Sequence, residues 1–206
     1  MARETKEAIM DAAVQLFNTT GYGGTSVRAI AQKAGVNPAL VSYYFKNKEG
    51  LLEEMSVSYF EGYMSSLVNT LKEEGEAGAL TVIRKVVFRL LDYQREHAET
   101  ARFLYRELTL DTMLAREIAT TYLAKEKYIF TQLLEEAVAN GEMVQFPVPY
   151  TMMQLKTMMM VPYLQKHYLT NVLFVFPHEM YFHKTHRQQL DYWLKQLKKE
   201  ASPVHI

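Results

Sequence analysis

An asparagine-proline pair two residues past a glycine constrains this chain more than any other feature. In Gly35-Val36-Asn37-Pro38-Ala39-Leu40-Val41-Ser42-Tyr43-Tyr44-Phe45-Lys46-Asn47-Lys48-Glu49, Asn37 is a favoured N-cap. Pro38 suits the first helical position, where an N–H has no intrahelical partner and the proline φ is already helical. A helix therefore starts at Pro38. Gly35 follows Ile30-Ala31-Gln32-Lys33-Ala34 and can take the left-handed conformation that ends a helix. Thr25 or Ser26 caps that earlier helix, after the glycine-rich Gly21-Tyr22-Gly23-Gly24. The spacing predicts helices near 26–34 and 38–45 joined by a turn of about three residues, a helix-turn-helix.

Val27, Ile30 and Ala31 form one face of the first helix, and Val41 and Phe45 recur four apart on the second, so these faces pack together. Ala39, Leu40, Ser42, Tyr43 and Tyr44 are left pointing outward. Their methyl, apolar and hydroxyl groups suit thymine methyls, base edges and phosphate oxygens. A tight helix pair inside an ordinary bundle is the plainer alternative, but it rarely exposes Leu40, Tyr43 and Tyr44 together. Upstream, Ile9, Ala12, Ala13, Leu16 and Phe17 lie at helical spacing and supply core. Arg3 and Lys6 project near where a DNA backbone would run, although Arg3 reads equally well as a solvated terminus.

These residues resemble a known pattern. Ile9-x-x-Ala12-Ala13-x-x-Leu16-Phe17, Gly21-Tyr22, Thr25-x-Val27-x-x-Ile30-Ala31-x-x-Ala34-Gly35-Val36 and Tyr44-Phe45-x-x-Lys48-Glu49-x-Leu51 are similar to the DNA-binding domain of TetR-family regulators. The resemblance implies an all-α fold: a three-helix helix-turn-helix domain over 1–46 and a larger helical regulatory and dimerisation domain over 47–206, assembled as a homodimer. It implies base-facing roles for Arg28, Ala39, Leu40 and Tyr43, and phosphate contacts from Thr25, Ser42, Tyr44 and Lys48. Asn37, the cap, belongs to the same DNA-binding set. Most members carry tyrosine where Ser42 stands, so that contact is lost here, shortened, or taken over by Tyr43 or Tyr44.

Charge is balanced overall, with 23 basic and 23 acidic residues, so no global polycation draws the chain to nucleic acid. Residues 1–48 nevertheless hold Arg3, Lys6, Arg28, Lys33, Lys46 and Lys48 against Glu4, Glu7 and Asp11, an excess of three positive charges. A dimer engaging several phosphates per half-site binds DNA with a steep salt dependence.

The chain has 206 residues, 49% of them hydrophobic, enough for a small module and a larger helical domain, each with a core. It contains no cysteine, which excludes disulfides and thiolate metal sites. No basic-then-apolar leader and no apolar run of about 18 residues is present, so the expectation is a cytoplasmic, nucleoid-associated protein without a membrane segment. Asn47 caps a long helix striped with Leu52, Met55, Tyr59, Tyr63 and Leu67. Further helices are predicted over 79–97, 102–108 and 112–139, closed by Asn140-Gly141. A methionine-rich helix follows Pro147 and Pro149 and is interrupted at Pro162. A last helix follows Pro177 and carries Leu190, Trp193, Leu194 and Leu197. No alternating stretch is long enough for a sheet.

A two-fold operator on double-stranded DNA is read by two copies of one short helix about one DNA turn apart, so a dimer interface must set that distance. By the resemblance, parts of 112–139 and 178–200 dimerise, with the Trp193 edge serving there or as core. Met152, Met153 and Met158–Met160 fill core or line a small-molecule effector pocket, whose nearest polar groups are Gln154, Lys156 and Tyr163. His178-Glu179 with His183 misses the zinc-protease spacing, and His183 and His186 lack a fitting third ligand, so no metal is expected. Gly21–Gly24 lacks the Gly-Lys-Ser/Thr ending of a phosphate loop, no catalytic constellation stands out, and no cofactor is expected. The chain reads as a non-enzyme. The charged stretch from Tyr93 to Glu126 is a solvated ion-paired surface or, around Arg102, Arg106, Arg116 and Glu117, a patch for a protein partner.

Ser42-Tyr43-Tyr44-Phe45-Lys46, Arg102-Phe103-Leu104-Tyr105-Arg106-Glu107, Tyr122-Leu123-x-Lys125-Glu126-Lys127-Tyr128-Ile129-Phe130, Gln154-Leu155-Lys156, Pro162-Tyr163-Leu164-Gln165 and Pro177-His178-Glu179-x-Tyr181-Phe182 also resemble the RefZ group of TetR-family dimers from endospore-forming bacteria. That likeness implies DNA-bound action on the tubulin-like division protein FtsZ. A conventional ligand-responsive repressor is the alternative.

Overall fold

A computed structural model describes residues 2–74 and 77–198. The end of the 178–200 stretch, and Gly75 and Glu76 after the long helix, lie outside the described residues. The described chain is a succession of helices, and its sole bridge of extended backbone pairs Met143 with Lys198. It divides into two compact units, one formed from the residues up to Gly62 with His97–Ile118, the other from Tyr63–Glu96 with the residues from Ala119 on.

The first unit begins with α1 (Ala2–Gly24), broken at Gly21 where φ is 78°. α2 (Val27–Ala34) and α3 (Pro38–Phe45) follow. Of the two cap candidates it is Ser26 that caps α2, its Oγ accepting from the Ala29 N–H at 3.1 Å. Gly35 ends α2 at φ 68°, its N–H and that of Val36 closing on the carbonyls of Gln32 and Ala31. Asn37 Oδ1 accepts from the Ala39 N–H at 2.9 Å to start α3. Ile9, Ala13, Phe17, Ile30, Ala31, Val41 and Phe45 are buried together as the apolar spacing requires, while Val27 is only half-buried.

α4 (Lys48–Glu73) starts from Asn47, whose Oδ1 accepts from the Gly50 N–H at 2.8 Å. Leu52, Met55 and Tyr59 of its stripe are buried. The same unit contains α6 (Ala98–Glu107), which starts four residues earlier than the sequence suggests, and α7 (Met113–Ile118). α6 packs on α1: the Phe103 and Phe17 rings lie 5.0 Å apart, Arg106 Nη2 donates to the Phe17 carbonyl at 2.9 Å, and Asn18 Nδ2 donates to the Glu99 carbonyl at 2.8 Å.

The second unit holds the rest of α4, α5 (Ala79–Glu96), α8 (Ala124–Ala139), α9 (Val148–Leu164), α10 (Lys166–Asn171) and α11 (Met180–Gln196). Its core joins Tyr63, Leu67, Ile83, Val87, Leu90, Phe130, Leu134, Met159, Leu190 and Leu194, and Trp193 packs partly buried against it. Two sequence expectations need correction. The helix predicted over 112–139 is not one regular helix: α7 passes into α8 through a π-helical turn, Ala119–Leu123, the wide turn by which a helix absorbs one extra residue. Pro162 does not interrupt α9, which continues to Leu164 with the proline buried inside it.

Glu126 is 2% exposed. It accepts a hydrogen bond from the Tyr63 hydroxyl at 2.7 Å and an ion pair from Lys156 Nζ at 2.8 Å, the pairing a buried charge requires. Among the described residues no helix is long and apolar enough to cross a membrane, and no three His, Asp or Glu side chains gather to hold a metal ion.

Candidate nucleic-acid interface

α3 buries Val41 and Phe45 and turns everything else outward. Asn37, Pro38, Ala39, Leu40, Ser42 and Tyr43 are exposed and Tyr44 half-buried, with Tyr43 at 78% and Leu40 at 37%. The Tyr43 and Tyr44 rings meet edge to face, centroids 5.1 Å apart. That contact steadies both rings in the outward direction, in a geometry aromatic quadrupoles favour. The structure thus leaves Asn37, Ala39, Leu40, Ser42 and Tyr43 exposed around the start and outer face of one short helix, the shape that enters a major groove, and Arg28 exposed on the preceding helix.

Thr25 and Lys48 are placed differently. Thr25 is 3% exposed, and its Oγ1 donates to the Gly21 carbonyl at 2.8 Å. Lys48 Nζ donates to the carbonyls of Tyr22 and Thr25 at 2.9 and 3.0 Å and sits 4.3 Å from the Tyr22 ring centroid. Burial pushes the Tyr22 phenol up to about 12, with Glu49 adding to the shift, so the ring under the ammonium stays neutral. Both side chains brace the joint between α1, α2 and α4, and neither is turned outward as the phosphate role would require.

The cations divide in the same way. Arg3 pairs with Glu7 at 2.9 Å, and Lys6 with Glu54 at 2.6 Å. Among the described residues before Lys48, Arg28, Lys33 and Lys46 are exposed and enter no ion pair. In the sequence, Lys33 and Lys46 enter the charge excess of residues 1–48 and nothing marks them as site residues. The available signal was only their position, one in the last turn of α2 and one just past α3, and it carries no information on pairing.

Arg102, Arg106, Arg116 and Glu117 also fall in the first unit but not on one free surface. Arg106 is occupied by the Phe17 carbonyl and lies 5.6 Å from the Phe103 ring centroid; Arg102 is half-buried, 3.9 Å from Glu99. Arg116 is exposed and grips Asp111 with two hydrogen bonds of 2.8 Å, which hold the Asp111 carboxyl below its ordinary range. Glu117 is exposed beside it.

Residues 9–55 match the family model described as bacterial regulatory proteins, tetR family. A Bacillus subtilis protein named "Probable HTH-type transcriptional regulator YttP" is 43% identical over 195 residues, 95% of this chain and 94% of that protein. The chain belongs to the TetR family of bacterial transcriptional regulators. Solved structures of bacterial regulators share its architecture over nearly the whole chain. A bacterial regulatory protein in the tetR family from Rhodococcus RHA1 superimposes with a TM-score of 0.74 at 20% identity, over 96% of this chain and 98% of that one. The ketosteroid transcriptional regulator KstR2 of Mycobacterium tuberculosis gives 0.76 at 15% identity over 95% of each. TetR-family regulators bind DNA and form dimers, and the residues that match that family's model take in most of α1, all of α2 and α3, and the start of α4.

Proposed function

We propose that this TetR-family regulator is a homodimer that binds a two-fold DNA operator through Arg28 and the outer surface of α3, and that while bound it acts on FtsZ-dependent cell division. The observation that carries the DNA half is Tyr43, a large aromatic side chain held 78% exposed on a capped two-turn helix. Exposing it has no role in folding and suits groove contact. Dimerisation belongs to the late helices, supported by exposed Tyr128 on α8 and Met180, Tyr181 and Tyr192 on α11. The FtsZ half rests on the sequence likeness to the RefZ group. The exposed Arg116 and Glu117 corner, flanked by exposed Leu110 and Met113, offers the charged and apolar surface that a protein partner uses.

A second reading is a ligand-responsive repressor. It is favoured by a surface pocket of about 240 Å³ lined by Phe174, Val175, Phe176, Tyr181 and Phe182 together with Glu179, Thr185, His186 and Gln189, a mostly apolar space with a few polar groups of the kind that small effectors fill. One experiment separates the two. Genomic fragments retained by the protein define the operator, and FtsZ assembly is then followed by light scattering with protein alone and with protein on operator DNA. A change in assembly that needs the protein supports the division reading. Unchanged assembly in both arms, with release of the operator by an apolar small molecule, supports the repressor.

A further inference from the structure

Lys46 stands at a backbone conformation that lysine rarely adopts. Its φ is 65° and ψ −58°, and the Asn47 N–H closes on the Phe45 carbonyl at 2.7 Å across it. This is a γ-turn of the rare, strained form, and a non-glycine residue held there costs energy that the surroundings must over-determine. Those surroundings are visible. Phe45 is buried, the Lys46 N–H itself is bonded to the Ser42 carbonyl at 2.9 Å, and Asn47 is committed to capping α4. The turn ends α3 and starts α4 within two residues, with the Lys46 side chain exposed and, among the described residues, in no ion pair.

We infer that Lys46, held outward by this turn, is the phosphate-neutralising cation at the C-terminal end of the reading helix, and that Lys48 is an internal brace. The two lysines are alike in sequence and opposite in surroundings. Lys48 directs its ammonium to two main-chain carbonyls and an aromatic face within the fold, so moving it to a phosphate would break the joint it holds. Lys46 has nothing to give up. Directly past Tyr43 and Tyr44, it adds a charge just beyond the surface that carries the base contacts, where positioning contacts to the backbone are needed. A flexible glycine at 46 would satisfy the turn without strain. The strained lysine therefore supplies something the turn itself does not need.

The inference rests on the DNA-reading role of α3, and the test keeps the two apart. Operator affinity is measured between 50 and 200 mM salt for the full-length parent, Lys46→Gly, Lys46→Arg and Lys48→Met. One phosphate lost per protomer lowers the log-log salt slope by about 1.8 per dimer, so the parent loses roughly 12-fold more affinity than Lys46→Gly across that range. Lys46→Arg retains the parent slope. Lys48→Met keeps the slope and lowers the melting temperature. A parental slope in Lys46→Gly, or a slope reduced in Lys48→Met instead, overturns the assignment of Lys46 while leaving groove reading by α3 intact. A parent that binds no duplex, or binds with no salt dependence, overturns the DNA reading itself and this assignment with it.

Discussion

Arg106 and Arg116 look equivalent in sequence, two arginines in one charged stretch, and the structure predicts opposite outcomes for them. Arg106 Nη2 donates at 2.9 Å to the carbonyl of Phe17, one turn before α1 breaks at Gly21, and its guanidinium lies 5.6 Å from the Phe103 ring centroid. A hydrogen bond from a charged group is worth about 1.5–3 kcal/mol, and a partly desolvated cation on a ring adds about 0.5–1 kcal/mol. Half-burial of the side chain discounts both, so Arg106→Ala costs roughly 2–3 kcal/mol, and Arg106→Lys recovers only part because the forked head is lost. Arg116 is fully exposed with a fully exposed partner, and Arg116→Ala leaves the unfolding midpoint where it was. The assay is urea unfolding followed by far-UV circular dichroism, with FtsZ assembly measured on the same preparations. Under the proposed function Arg116→Ala abolishes any effect on assembly with stability and operator binding intact, whereas Arg106→Ala weakens all three. An Arg106→Ala midpoint equal to the parent's, or an Arg116→Ala protein as unstable as Arg106→Ala, refutes the division into anchor and surface.

Two further outcomes follow from the second unit. Lys156→Met leaves Glu126 buried with only the Tyr63 hydroxyl, at a cost of about 3–5 kcal/mol, while pairing it with Glu126→Leu restores most of that, since apolar replacement of a buried pair is often near neutral; chemical denaturation of the double-mutant cycle reads this directly, and strictly additive losses count against the pairing. Asp191 is held below its ordinary carboxylate range by hydrogen bonds from Arg84 and Lys195, so its contribution is present above the unfolded carboxylate pKa and is lost as pH falls through the depressed folded value. Asp191→Asn therefore flattens the acid limb of a melting-temperature profile below about pH 4, and an acid limb unchanged from the parent's refutes the attribution.

How much of this was readable beforehand depended on whether a residue's role is set locally. Asn37, Pro38, Gly35 and the spacing of Val41 and Phe45 act through their own backbone or through one helix period, so the bounds of α3 and its outward surface follow from adjacent residues alone. Thr25 and Lys48 illustrate the limit. Whether a hydroxyl or an ammonium faces water or a main-chain carbonyl depends on how α1, α2 and α4 meet, and Lys48 reaches back 26 residues to Tyr22. No periodicity encodes that. Arg106, spanning 89 residues to Phe17, is hidden for the same reason, since its sequence surroundings suggest a solvated ion-paired surface or a partner patch.

The π-helical turn at Ala119–Leu123 shows a different kind of concealment. Ala119-Thr120-Thr121-Tyr122-Leu123 contains no proline or glycine, so nothing local marks a departure from α geometry. What marks it is the pattern on either side. Ala115 and Ile118 are buried three apart in α7, no residue from Ala119 to Leu123 is fully buried, and Glu126, Phe130, Leu134 and Ala137 are buried at spacings of four, four and three in α8. Steps of three and four from Ile118 arrive at 121 or 122 and then at 124, 125 or 126, so the regular count admits Glu126, and what departs from it is that neither Thr121 nor Tyr122 is fully buried. The inward face resumes in α8 at Glu126. In this chain the residue so turned inward is a carboxylate, and Lys156 and Tyr63 are the groups that make its burial tolerable. The inward face of α8 thus begins with a charge-paired carboxylate and continues with the apolar Phe130 and Leu134.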